Sequence, residues 1–112
     1  MRYMRLAYYT TSSGRRPVID YIKKQAKQER AGLVDALEMI EIHGFEAPRT
    51  SFRQIRGKLW EIRIERKLSH RIFYAVVVKD EIVLLHAYQK KTQKAPKKEI
   101  DLAHKRMKEI IG

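Results

Sequence analysis

The stretch from Arg56 to Lys91, RGKLWEIRIERKLSHRIFYAVVVKDEIVLLHAYQKK, constrains the fold more than any other part of the chain. It contains three strand-like runs. In KLWEIRIE, Trp60, Ile62 and Ile64 fall on one face and Glu61 and Arg63 on the other, the period-two pattern of a half-buried strand. Trp60 reads as core, and the opposite face of this strand is expected to be free for chemistry. HRIFYAVVV is rich in β-branched and aromatic residues and too apolar for an exposed edge, which predicts a central strand. Lys79-Asp80-Glu81 is a polar interruption short enough for a hairpin turn, and IVLLHAYQKK follows as a third strand ending on paired lysines. The expected product is a basic-ended antiparallel meander.

The flanking sequence reads as one more strand and three helices. YMRLAYY, residues 3–9, is a short strand with no readable partner, closed by the polar loop Thr10 to Gly14. Pro17 suits a first helical position, and Val18, Ile19, Ile22 and Ala26 predict an amphipathic helix to about Gln28. Leu33, Ala36, Leu37 and Ile40 mark a second helix from about Arg30 to His43, with Gly44 as the left-handed residue that ends it. Phe45 to Arg53 reads as a loop. Beyond the meander, Thr92 to Ala95 is predicted to be a loop and Pro96 to start the last helix, with Ile100, Ala103, Met107 and Ile110 on its buried face. The reading is α+β: a single domain over residues 1–112, an antiparallel meander plus an N-terminal strand, a two-helix hairpin packed on the sheet, and a C-terminal helix.

At 112 residues the chain supports one core. It has no cysteine, which fits a reducing cytoplasm. No signal-like apolar segment opens it, and no run approaches the roughly 20 apolar residues of a membrane span, so a soluble cytoplasmic protein is expected. The formal charge of +12 is unevenly spread. Residues 49–71 carry eight Lys and Arg against two acidic residues, and residues 90–108 carry the same ratio. Such a field attracts polyphosphate and makes binding salt-dependent. An anionic membrane is the less fitting partner, because the apolar residues follow strand and core periodicity rather than an interfacial stripe. Nucleic acid is therefore the expected ligand, with Arg49, Arg53, Arg56, Lys58, Arg66, Lys67 and Lys94 as candidate RNA contacts.

No metal or cofactor site is expected. The four histidines lack cysteine partners and close spacing, HExxH is missing, and the glycines are scattered singly rather than gathered in a phosphate loop. What remains is cationic chemistry on a sheet face. Metal-free RNA cleavage needs a 2′-OH deprotonated, charge stabilised on the phosphorane-like transition state, and the leaving 5′-oxygen protonated. Arg63 and Arg71, on successive strands joined near Arg66-Lys67-Leu68, are placed to clamp one phosphate together. Lys90 or Lys91 joins them, since alternation puts only one on that face. His86 and Tyr88 serve either as proton carriers and base-stacking partners or as ordinary sheet packing. Arg71 has its own structural alternative, an ion pair with Glu61 or Glu65.

LWEIRI, HRIFY and LLHAYQKKTQKAPKKEIDLAHKR in that order, preceded by SGRRPVIDYI, resemble the phage-derived HigB-like branch of the RelE/ParE toxin superfamily. The resemblance spans nearly the whole chain. It implies a RelE-like fold and the toxin of a type II toxin–antitoxin pair, a ribonuclease that cleaves messenger RNA on the ribosome without metal or cofactor. It also implies ribosomal RNA contacts and a cognate helix-turn-helix antitoxin of the HigA-like kind. Matched by position, its basic catalytic residues are Arg71, Arg63, and Lys90 or Lys91, assisted in some members by an aromatic or a histidine. The residues alone leave two other functions open: a non-catalytic RNA- or ribosome-binding module, and a toxin that blocks translation without cutting.

Overall fold

A computed structural model describes residues 3–94 and 96–111. Ala95 of the predicted loop, and residues 1, 2 and 112 of the predicted domain, lie outside the described residues. The elements are β1 (Arg5–Tyr8), α1 (Pro17–Lys23), α2 (Lys27–His43), a 3-10 turn (Gly44–Glu46), β2 (Thr50–Arg56), β3 (Leu59–Glu65), β4 (Ser69–Val78), β5 (Glu81–Gln89) and α3 (Lys97–Ile111). One mixed sheet runs in the order β1-β5-β4-β3-β2. Strands β2 to β5 form the antiparallel meander, and β1 lies parallel to β5, with Leu6 opposite Ile82 and Tyr8 opposite Leu84. The architecture is the expected α+β class. Strand β4 is central, and Ile72, Phe73, Tyr74 and Ala75 are buried on both faces of it.

Two apolar layers sandwich the sheet. On one side Val18 and Ile22 of α1 and Leu33, Leu37 and Ile40 of α2 meet Ile62, Ile64, Ile72, Tyr74, Ile82 and Leu84, with Trp60 packed at the margin. On the other, Ala103 and Met107 of α3 meet Leu59, Phe73, Ala75, Leu85 and Tyr88. Gly44 ends α2 at φ 63, and a Cβ there would come within 2.5 Å of the Tyr3 ring. Glycine is required both for the turn and for that approach.

Several expectations are corrected. Residues 50–56 form an edge strand rather than a loop, pairing with β3 from Thr50 opposite Ile64 to Arg56 opposite Leu59. Two arginines hide its alternation, and its anchors are Phe52 on the hairpin side and Ile55, bulged, on the α3 side. Helix α1 stops at Lys23, because the Lys24 and Gln25 amides close back on the Asp20 and Ile22 carbonyls and Ala26 is extended (ψ 154). Ala26 is consequently exposed. Strand β5 ends at Gln89, so Lys90 and Lys91 lie just past it, although the Lys90 amide still donates to the Ser69 carbonyl at 2.9 Å. Ile110 is exposed, and Ile111 takes its place by an i+4 step from Met107. The second face of β3 is not wholly free: Leu59 there packs with α3 and Glu61 is buried, while Arg63 reaches solvent, with Arg53 of neighbouring β2 beside it.

Candidate functional site

The site lies on the α3 side of the sheet, where the meander brings Arg53, Arg63 and Arg71 together with Glu61 and Glu65. Register places Arg63 directly opposite Arg71, and Arg71 opposite Tyr88. Like charges facing each other across strands are unfavourable unless compensated. Compensation comes from two acids of β3, the strand that carries Arg63. Arg71 Nη1 donates to Glu65 Oε1 at 2.7 Å and to the His70 carbonyl at 3.0 Å, and its Nε lies 4.0 Å from Glu61 Oε1. Glu61 also accepts from Arg53 Nη2 at 3.4 Å. Glu61 is fully buried, whereas the Glu65 side chain is 55% exposed. The Ser69 hydroxyl donates to Glu65 Oε2 at 2.6 Å and, with Arg71 after it, holds that carboxyl below its usual range. Arg63 is half-buried and, among the described residues, forms no ion pair.

Two buried polar atoms there, Arg71 Nε and Tyr88 Oη, have no hydrogen-bond partner among the described residues. Arg71 is 4% exposed and Tyr88 6%. Orphaned groups at that depth are uncommon in folded proteins. Burial, and after it the charge of Glu61, pushes the Tyr88 hydroxyl up to about 12, so it stays protonated at neutral pH and is able to donate.

His86 shares the Tyr88 face by alternation, and a bulge beyond it brings Leu85 there as well. Phe73 pairs with His86 and Tyr74 with Leu84, so Leu85 is the extra residue and joins His86 and Tyr88 on the α3 side. Phe73, His86 and Tyr88 stack nearly parallel, with centroids 5.6 to 6.4 Å apart. Burial lowers the His86 pKa despite the opposing Glu99, so the ring is neutral at pH 7. Its partners then fix the tautomer: Nε2–H donates to Glu99 Oε1, and Nδ1 accepts from Arg106 Nη1 at 3.3 Å. Neither ring nitrogen is free. Arg106 also donates to the Leu85 carbonyl at 3.0 Å and lies over the Tyr9 ring, tying α3 to the sheet edge.

The remaining predicted contacts are dispersed. Arg56 pairs with Asp101 of α3 at 3.4 Å. Arg49, at φ 61, and Arg66 line a separate cavity of about 190 Å³ with Gly32 and Asp35. Lys58, Lys67, Lys91 and Lys94 are exposed and Lys90 is half-buried. Sequence reasoning missed Glu99 and Arg106, and also a second histidine chain on the hairpin side. There, buried His70 accepts from Tyr21 Oη at Nδ1 (2.7 Å) and donates from Nε2 to Glu29 (2.8 Å), which also accepts the Leu68 amide at 3.1 Å. His70, then the Leu68 amide, hold Glu29 below its usual range. The position of His70 at the head of the HRIFY run was the one available signal; its partners lie 41 and 49 residues away. Among the described residues, no three of His, Cys, Asp and Glu gather into a set able to hold a metal, and no helix is long and apolar enough to cross a membrane.

No curated protein is similar to the chain at a significant level. A family model described as phage derived protein Gp49-like (DUF891) matches residues 20–108, which include every strand of the meander and most of α3. With the same blocks now seen to build one cationic face, the chain belongs to the phage-derived Gp49-like family, a family of RelE/HigB-like toxins.

Proposed function

We propose that this chain is the toxin of a type II toxin–antitoxin pair and that it cleaves messenger RNA on the ribosome without a metal. The observation that carries this reading is the pair of buried donors without a hydrogen-bond partner among the described residues, Arg71 Nε and Tyr88 Oη, on cross-strand neighbours beside Arg63, which forms no ion pair among them. Donors fixed in a water-poor site are suited to phosphoryl oxygens, whose negative charge grows in the transition state. In this reading the scissile phosphate takes the place of the Glu65 carboxylate at Arg71, and Arg63 meets a second oxygen. The 2′-oxygen attacks phosphorus as the bond to the 5′-oxygen breaks. Tyr88, protonated at neutral pH, donates to the leaving oxygen, and displaced Glu65 is the nearby ionised acceptor for the 2′-OH proton. Lys90 and the exposed Arg53, Lys58, Lys67 and Lys94 hold flanking phosphates of messenger and ribosomal RNA. The same face, in the cytoplasm, is neutralised by a cognate helix-turn-helix antitoxin.

A second reading, a toxin that blocks the ribosome without cutting, is favoured by two observations: both nitrogens of His86 are engaged, and Arg71 is already held by carboxylates. Sequencing the 5′ ends of RNA fragments after a brief induction separates the two. Codon-phased cuts inside translated frames are expected; intact messenger with stalled translation overturns the cleavage reading.

A further inference from the structure

The other face of the sheet carries an unassigned surface. Strand β2 is the last strand of the sheet, so the backbone amides and carbonyls along its outer side have no neighbouring strand. A seven-residue free edge is a template for strand addition. Beside it, on the hairpin side, lies a cavity of about 570 Å³ lined by Phe45, Phe52, Trp60, Tyr74 and Val76, with Thr50 and Ser51 at its mouth. Phe45 packs edge-on against Phe52 at 5.0 Å, and Phe52 against Tyr74 at 6.1 Å, so the walls are a continuous aromatic cluster. Phe45 is 49% exposed and Val76 45%, in a chain whose other large apolar side chains are mostly buried. An open aromatic groove next to an unpaired strand is a liability unless something covers it.

Charge identifies the occupant. Between residues 49 and 58 the chain carries Arg49, Arg53, Arg56 and Lys58 and no acid. Arg53 and Arg56 project from β2 toward the α3 side, as their contacts with Glu61 and Asp101 show, while Phe52 projects toward the groove. A strand laid along β2 therefore meets arginines with one set of alternate residues and aromatic rings with the other. A second copy of this chain does not fit, because β2 against β2 sets Arg53 and Arg56 of each copy on the same face as those of the other. We propose that β2 and this groove receive an extended segment of a partner protein, one that alternates apolar residues toward the groove with Asp or Glu toward Arg53 and Arg56. The groove lies on the opposite face of β3 and β4 from the cationic site, and only Arg53 serves both.

The chain's one tryptophan, Trp60, lines the groove and reports its occupancy. The probe is a library of octapeptides with Asp or Glu at alternate positions and Val, Ile, Leu or Phe between them, titrated into the full chain while Trp60 emission and amide hydrogen exchange are followed. Saturable binding is expected, with exchange slowed at alternate amides of β2, and weakened roughly tenfold or more by Phe45→Ala. That variant is expected to fold, because the ring is half exposed, and its melting temperature checks this. Peptides of the same composition rearranged to helical spacing, or with Lys for the acids, are expected to bind at least tenfold more weakly. Three outcomes overturn the proposal: no alternating peptide binds, rearranged peptides bind equally well, or β2 exchange slows without peptide as the chain dimerises. Equal protection of β2 and equal Trp60 quenching by an oligoribonucleotide, lost in Phe45→Ala, would assign the groove to RNA instead.

Discussion

At the scale of single residues, Arg71 is both a structural ion-pair partner and the best-placed phosphate ligand, and the two roles make separable forecasts. Arg71→Ala removes the guanidinium contacts to Glu65 and Glu61 and leaves buried Glu61 with only the 3.4 Å contact to Arg53. A lower melting temperature is expected from that alone. If Arg71 also stabilises the transition state, single-turnover cleavage per folded molecule falls on the order of 10²-fold, as when a single oxyanion donor is removed. Arg71→Lys keeps the charge without the planar fork and should restore part of the rate. Full activity per folded alanine variant removes Arg71 from the site. Glu65→Gln is the complementary test. Its carboxylate is half exposed, so the pair contributes about 0.5–1 kcal/mol. Releasing Arg71 from it should tighten RNA binding about two- to five-fold. A purely structural Arg71 predicts a lower melting temperature and unchanged binding. Because Glu65 is also the proposed proton acceptor, the chemical step should slow in the same variant while binding improves.

At the scale of elements, the β3–β4 turn is fastened to α2 rather than left to hang beside the site. Glu29 takes the Leu68 amide and His70, and the Arg66 guanidinium lies over Gly32, where an added Cβ would fall 2.3 Å from its Nε. This fastening is pH-sensitive. The carboxyls of Glu29 and Glu65 are held below their usual 4.5, so they bind a proton less readily folded than unfolded. Their contribution to stability is full above the unfolded value and is lost as pH falls through the folded one. His86, lowered from 6.5 by burial, acts in the same sense at somewhat higher pH. Melting temperature should therefore decline as pH drops from about 6 to about 3, and Glu29→Gln should be less stable at neutral pH with a flatter decline. An identical pH profile in the variant shows that Glu29 does not carry the effect.

At the scale of the whole molecule, the two basic segments of the sequence converge on one end of the fold, with Arg53, Arg63 and Arg71 from the meander and Lys90 just past β5. Binding to RNA should weaken linearly in log–log salt plots, and Lys67→Ala should lower the slope by about 0.7–0.9 while leaving cleavage of bound RNA unchanged. A slope equal to the native one places Lys67 away from the phosphates. Cleavage by purified chain on ribosomes held intact should survive chelation, because the proposed chemistry runs on guanidinium and hydroxyl groups. Activity lost on chelation and regained with a divalent ion would replace that mechanism.

Periodicity determined the meander, its central strand and the helical hairpin, because local alternation and 3.6-residue stripes are written in consecutive residues. The two-residue period also placed Arg63 opposite to Ile62 and Ile64, and a short turn after it made an Arg63–Arg71 approach predictable. Strand β2 was not legible, because an edge strand needs few apolar residues, and Arg53 and Arg56 masked the pattern around Phe52 and Ile55. Tertiary structure alone decided the rest. The bulge at Leu85 turns His86 and Leu85 to one side against simple alternation, and α3, joined by a loop that sets no register, supplies Glu99 and Arg106 to hold that histidine. Which carboxylates neutralise Arg71, and that its Nε and the Tyr88 hydroxyl lack a hydrogen-bond partner among the described residues, depends on the packing of three strands and a helix together. Burial and long-range contact are properties of that assembly, and no window of sequence contains them.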